Sequence, residues 1–220
     1  PSGRIIQFKG IFAMQIVKGR NFYPVHVQPN LREMILASGR QFGNLTAFRF
    51  RLDPAGEPVT RSYAAFIDDW QALGTILTHL GYREKRIAVI GENSFNWCVT
   101  HTDVLNGVGV SVPLDRLLPP AEVITLLERG GVSAVFYDAA FHDVLMKAVN
   151  RLPGQIGLLC CMRPDRLKDP ASVPFQDPTD RDASDTARSA SQPCFYRFED
   201  LLSAGRTLRQ QGDRVYDETP

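Results

Sequence analysis

From Ser62 to Leu80 the large apolar residues Phe66, Trp70, Leu73, Leu77 and Leu80 recur every three or four positions, which puts them on one face of a helix. Ser62 offers a side-chain oxygen to the helix N-terminus, and Gly81 suits the left-handed residue that closes its C-terminus. The pattern then changes. Ile87-Ala88-Val89-Ile90 is apolar without alternation and stops at Gly91, as a strand covered on both faces does. Asn93 or Ser94 can cap a second helix whose apolar side is Trp97, Cys98, His101, Val104, Leu105 and Val108. A strand over Val110 to Leu114, ended by Pro113 and its neighbours, comes next. Pro119-Pro120 then opens a helix with Glu122 in its first turn and Val123, Leu126 and Leu127 on its inner face. Gly130-Gly131 stops it. Val132 to Tyr137 reads as a third strand. Phe141, Leu145, Val149 and Leu152 mark a helix cut off by Pro153-Gly154, and Ile156 to Met162 is a fourth strand.

Strand and helix thus alternate four times with short connections, the pattern of a parallel sheet covered by helices on both faces. The expected fold class is α/β, doubly wound, with a mainly parallel sheet. Its boundaries are a mixed segment over 1–60, with a helix from Leu31 to Gly39 and a strand through Leu45 to Leu52, and the α/β layer over 61–162. A Pro/Asp-rich loop follows over 163–193 and a short amphipathic helix within 194–220. The 163–193 loop holds five prolines and six aspartates and little large apolar surface after Phe175, so it is expected to be mobile. No internal repeat is visible.

Composition leaves this picture intact. Of 220 residues, 44% are hydrophobic and 22% charged, ordinary for a globular protein with a real core. The longest apolar run, Ile156 to Met162, is far short of the roughly 20 residues of a membrane-spanning helix. Ile5 to Val17 is broken by Gln7, Lys9 and Gln15 and does not read as a signal peptide. Met14 is the expected natural start, with the residues before it an addition.

The net charge of +1 conceals an asymmetry. Residues 1–51 carry eight Lys/Arg against the single acid Glu33, a local +7 that the remainder offsets with −6. Pairing with the acidic remainder or simple solvation explains this first, while peripheral contact with an anionic lipid surface stays open. Phe42, Phe48, Arg49, Phe50 and Arg51 interleave bases and aromatics, but strand alternation accounts for them and no nucleic-acid partner is expected.

Candidate chemistry is sparse. Cys98, Cys160, Cys161 and Cys194 include no CxxC pair, and free thiols in a reducing cytosol are expected, with Cys160 and Cys161 on opposite sheet faces. No lysine precedes Ser or Thr, which excludes a Walker-type P-loop. Gly109-Val110-Ser111-Val112-Pro113 approaches a nucleophile elbow but lies in a strand. None of His26, His79, His101 and His142 begins an HExxH motif, and His142-Asp143 is an isolated pair at a helix start. His101 reads as a hydrogen-bonded core residue and Asp68-Asp69 as solvated helix surface. Gly91-Glu92-Asn93-Ser94 stands where a ligand would meet a helix N-terminus, but lacks the dinucleotide spacing and reads as a cap.

The order of punctuating residues carries more. Leu31-Arg32-Glu33-Met34, Phe42-Gly43 and Thr46-Ala47-Phe48-Arg49 are followed by Ser62-Tyr63, Leu80-Gly81-Tyr82 and Arg86-Ile87-Ala88-Val89-Ile90. Glu92-Asn93-Ser94 with Trp97 comes next, then Asn106-Gly107-Val108-Gly109, Val112-Pro113-Leu114-Asp115 and Leu118-Pro119, and finally Phe198-Glu199-Asp200-Leu201-Leu202 with Gly205. In this order they resemble the opening part of the adenylate-forming (AMP-dependent synthetase and ligase) superfamily over about residues 22–215. The likeness is to long-chain fatty acyl-CoA synthetases more than to luciferase-like or peptide-synthetase members. These are structural motifs, indicating a fold first and chemistry only indirectly.

The resemblance implies that the Ser/Thr/Gly-rich phosphate loop with its lysine follows Thr219-Pro220, and the magnesium motif, ribose-binding Asp, hinge and catalytic Lys come later still. The chain is therefore expected to be an N-terminal fragment of an ATP-dependent fatty acid–CoA ligase, inactive alone. No catalytic, cofactor-binding or metal residue is assigned within it. ATP, Mg2+ and CoA belong to the parent enzyme and none is expected bound here. The implied partners are the remainder of that enzyme and, in the parent, a fatty acid. A homo-oligomer of the fragment is also expected, as is a cytoplasmic or membrane-peripheral location. The rival expectations are a complete non-catalytic binding or assembly module, and an adenylating relative whose acceptor is a carrier protein.

Overall fold

A computed structural model describes residues 27–179 and 192–218, together with Gly19. The Ile5–Val17 stretch, Met14, His26 and residues 180–191 of the Pro/Asp-rich segment lie outside the described residues.

The chain begins with a helix, α1 (Leu31–Phe42), capped by the Asn30 side chain on the Glu33 N–H. An antiparallel hairpin follows, β1 (Thr46–Phe50) and β2 (Val59–Ser62). Ser62 ends β2 and also caps α2 (Tyr63–His79), its Oγ accepting from the Ala65 N–H; Gly81, at φ +82°, closes the helix. The core of α2 is the expected stripe, with Trp70, Leu73 and Leu77 fully buried. Each such side chain contributes about 1.5–3 kcal/mol by leaving water.

Strands and helices then alternate as β3 (Arg86–Ile90), α3 (Phe95–Asp103), β4 (Val110–Leu114), α4 (Pro120–Arg129), β5 (Ala134–Tyr137), α5 (His142–Arg151) and β6 (Leu158–Cys161). A fifth parallel strand, β7 (Cys194–Arg197), and α6 (Phe198–Gln210) complete the described chain. The sheet order is β4-β3-β5-β6-β7, every pair parallel. β5 and β6 are buried along their whole length, so their residues read as unbroken apolar runs. One face packs with Trp70, Leu73, Leu77, Phe136, Cys160 and Phe198, and the other with Val123, Leu127, Val135, Tyr137, Leu145 and Cys161. Helices cover both faces, as the doubly wound reading requires, and Cys160 and Cys161 point to opposite ones. No helix among the described residues is long and apolar enough to cross a membrane.

Several expectations need correction. The buried side of α3 is Phe95, Val99, Thr100 and Asp103, whereas Trp97, Cys98 and His101 are half-buried and Leu105 is exposed. The helix passes into a wider turn over Val104–Val108 with Gly107 at φ +138°, so the periodicity drawn through Leu105 does not continue. On α4, Ile124 takes the inner place expected for Leu126, which is exposed. Pro113 lies within β4 instead of ending it; β4 is an edge strand, where a missing donor is tolerated. Strands β2 and β7 are additions to the expected elements.

Within the 163–193 segment, the described residues 163–179 carry local structure. Pro164–Arg166 and Pro170–Ser172 form short 3-10 turns, Leu167 and Val173 are buried beneath the sheet, and Phe175 bridges to Phe195. Three spaced apolar anchors hold residues 163–179 despite the prolines. Asp68 and Asp69 do not share one solvated surface either. Asp69 is buried, and Arg206 of α6 reaches both, its Nε 2.8 Å from Asp68 and its terminal nitrogen on Asp69.

Gly205 of α6 packs directly on the Ala72 backbone of α2, and a Cβ there would overlap the Ala72 carbonyl. Gly205→Ala is expected to cost about 1–3 kcal/mol through forced separation of the two helices, read as a lower urea midpoint at unchanged slope. A midpoint equal to wild type refutes this contact.

Burial raises the Asp69 carboxyl to about 6, with the Arg206 guanidinium opposing. A carboxyl raised on folding contributes stability that is fully present below its ordinary value of 3.8 and is lost as pH climbs through about 6. Thermal unfolding of Asp69→Asn is therefore expected to show a flatter pH dependence than wild type across that window. Parallel curves for the two proteins are the contrary result.

Candidate functional site

In an open parallel sheet a ligand seat forms at the carboxyl ends of the strands, where successive connections leave in opposite directions. Here β4 pairs on one side of β3 and β5 on the other, so this crevice lies between the loops after β3 and β5. The first loop is Gly91 to Ser94 and the second starts at Asp138. The Asp138 N–H donates to the Ile90 carbonyl at 3.0 Å, and its Oδ2 accepts from the Glu92 N–H at 2.6 Å. A Cβ on Gly91 would stand 2.5 Å from that oxygen, and Gly91 has φ +157°. Only glycine leaves room for the carboxylate. Ser94 Oγ accepts from the Trp97 N–H at 3.2 Å, so α3 is capped from within. The Gly91–Ser94 loop is thus a capped helix entry, with the chain's own carboxylate on the Glu92 N–H at the crevice. Burial pushes the Asp138 carboxyl up, while the Glu92 N–H and the Arg163 charge pull it back.

Beside the crevice is an open cleft of about 550 Å³, reached by Arg116, Arg163, Arg166 and Lys168 and by the acids Glu92, Asp138, Asp143 and Asp169. Its charges balance. Arg116 lies 3.9 Å from Glu92 and Lys168 3.4 Å from Asp143, both pairs well exposed and of little energetic weight. Arg163 and Arg166 do more: both donate to the Leu52 carbonyl, at 3.2 and 2.9 Å. They tie the loop between β1 and β2 to the end of the sheet, while Phe48 and Phe50 of β1 pack on the Phe95 ring at the start of α3. His142 opens α5, its Nδ1 3.0 Å from the Tyr137 hydroxyl, and burial lowers its pKa, favouring the neutral ring. The cleft has cations able to hold an anion. Among the described residues no group of three His, Cys, Asp or Glu is placed to hold a metal ion.

The remaining candidates resolve individually. Ser111 lies inside β4 as expected, and His101 Nδ1 is 2.8 Å from its Oγ. Sequence reasoning missed this contact, because only the pairing of β4 with β3 brings the end of α3 alongside it. The His101 ring packs at 4.8 Å on Trp97, and no carboxylate among the described residues orients its other nitrogen as a triad requires. The pair is a structural hydrogen bond. All four cysteines are free, and burial raises each thiol, which disfavours the reactive thiolate.

Known proteins give this arrangement its context. The family model described as AMP-binding enzyme matches residues 36–198. Among solved structures, the chain is similar to the A-PCP didomain of carboxylic acid reductase from Segniliparus rugosus in complex with AMP. That likeness has a TM-score of 0.59 at 18% identity, over 80% of this chain and 26% of that one. Coronafacic acid ligase from Pectobacterium brasiliense gives a TM-score of 0.59 at 15% identity, over 78% of this chain and 29% of that one. A fatty acyl CoA synthetase from Mycobacterium tuberculosis gives 0.51 at 24% identity, over 59% and 26%. At such identities the likeness is one of fold, and the chain spans only 26–29% of these three proteins. No curated protein sequence matches. The family match takes in the hairpin, the parallel layer and the start of α6, more than half of the sequence: the chain belongs to the AMP-binding enzyme family.

Proposed function

We propose that this chain is the N-terminal part of an ATP-dependent fatty acid–CoA ligase, supplying one α/β layer of the fold and no group that reacts. The reaction joins a carboxylate oxygen to the α-phosphorus of ATP with loss of pyrophosphate, and the CoA thiol sulfur then displaces AMP from the acyl carbon. Mg2+ would neutralise phosphate charge in that first step. The observation that carries the reading is the Asp138 carboxylate on the Glu92 N–H. A nucleotide phosphate seeking the crevice between β3 and β5 meets a carboxylate already bonded to this backbone donor. Nucleotide handling is then left to groups from the rest of the enzyme, as the span of this chain against its structural neighbours agrees.

The likeness to an A-PCP didomain favours a second reading, an adenylating enzyme whose acceptor is a carrier protein. A complete binding or assembly module of the same fold is the third. Exposed Leu105, Val110, Leu117 and Leu126 support association with further protein, either the remainder of the enzyme or another copy.

Incubated with ATP, Mg2+ and a long-chain fatty acid, the 220-residue chain is expected to release no pyrophosphate above background. The protein encoded by the natural gene is expected to release it in a fatty-acid-dependent way and to consume free CoA. Release by the 220 residues alone refutes the scaffold role, release that requires a carrier protein in place of CoA selects the second reading, and a gene ending at Pro220 selects the third.

A further inference from the structure

Beyond α6 the described chain runs in turns, with the Asp217 and Glu218 N–H groups bonded to the Arg214 carbonyl. Yet Tyr216 is fully buried. What it meets is Arg32, a cation only 7% exposed that comes from the first turn of α1. The Arg32 guanidinium packs against two rings that also meet edge to face, 5.0 Å from the centre of Trp70 and 4.7 Å from that of Tyr216. One of its nitrogens donates to the Asn106 carbonyl at 2.7 Å and another to the Tyr216 carbonyl at 2.9 Å. No carboxylate among the described residues forms an ion pair with it.

The surroundings are unusually costly for a core. The Asp103 carboxyl is wholly buried beside Tyr216 with no hydrogen bond of ordinary geometry to either oxygen, and Trp70 Nε1 is likewise unpaired. Gly74 makes the space: a Cβ there would stand 2.5 Å from the Asp103 Oδ1 and would overlap the Tyr216 ring. Burial holds the Asp103 carboxyl well above the usual carboxylate range, against the lowering effects of Tyr216 and Arg32, and so favours its neutral form. Apolar residues would pack such a space without orphaned polar atoms. They would not satisfy the two carbonyls, which belong to the wide turn after α3 and to the turn after α6. A guanidinium offers forked donors and a planar cation against aromatic rings at once, and a lysine offers neither the fork nor the plane.

We propose that Arg32 is a positioning residue that clamps the 214–216 turn onto the helical layer, and so fixes where the chain leaves that layer. This rests on the proposed function in one respect, that the segment so directed leads to the nucleotide-binding loop. Arg209 secures the same turn from the side, 2.9 Å from Asp217 and 3.3 Å from Thr75.

Hydrogen exchange on the 220-residue chain tests the clamp independently of activity. Arg32→Lys keeps the charge but loses the fork, and Tyr216→Ala removes the ring. Both are expected to speed exchange over residues 211–218 by about tenfold or more, with β3, β5 and β6 changed by less than about twofold. Tyr216→Phe, which keeps the ring and the carbonyl, is expected to match wild type. Unchanged exchange at 211–218 in Tyr216→Ala, or acceleration spread equally through the sheet, overturns the clamp. In the protein from the natural gene, Arg32→Lys is expected to slow fatty-acid-dependent pyrophosphate release by about tenfold while Tyr216→Phe does not. An unaltered rate in Arg32→Lys overturns the positioning role even if the exchange result stands. Absence of release in the wild type overturns the proposed function and leaves the clamp to the exchange data.

Discussion

A parallel sheet offers water neither face. Each of its strands needs a crossover to return, and the crossovers lay helices over both sides. Nearly everything in this molecule follows from that requirement. The Trp70–Leu73–Leu77 stripe of α2 and the Phe198 end of α6 close one face, and Val123, Leu127 and Leu145 close the other. With both faces spoken for, the carboxyl ends of the strands are the part of the sheet left open to a ligand. There the chain has set a carboxylate, two arginines and the tip of a hairpin.

The same requirement explains which parts were legible in the sequence. Strands buried on both sides have no polar alternation, so Ile87–Ile90 and the runs ending at Tyr137 and Met162 stood out as blocks, and α2 stood out by its repeat. Capping chemistry at Ser62, Ser94 and Pro120 set the boundaries to within about one residue. The errors have a common physical source. The face of α3 was read from hydropathy alone, but Asp103 and Thr100 are buried there because α3 packs on α2, where Gly74 leaves space beside Asp103. β7 is four residues long and pairs with a strand over thirty positions earlier, with nothing local to announce it.

The candidate site was the least legible, for a related reason. Asp138 is unremarkable in sequence and Gly91 reads only as part of a strand end and helix cap, and their joint meaning appears only when β3 and β5 become neighbours. The Arg163 and Arg166 bonds to the Leu52 carbonyl depend likewise on the hairpin and the sheet end meeting. Nothing in the spacing around the buried Arg32 distinguishes a surface cation from one packed against two aromatic rings. Under the proposed function the layer supplies shape and attachment points. Its polar groups are largely committed to one another, which is the expected condition of a scaffold that positions chemistry carried elsewhere.

The back-to-back placement of Cys160 and Cys161 on β6 has a use of its own. Each thiol sits at the middle of a different apolar cluster, with the thickness of one strand as the wall between them. A bulky alkylating reagent reaches the first only when the α2–α6 side lifts away and the second only when the α4–α5 side does. Peptide mapping of the order in which the two become labelled would therefore time the opening of either layer separately, giving this small protein a built-in two-channel recorder of its own breathing.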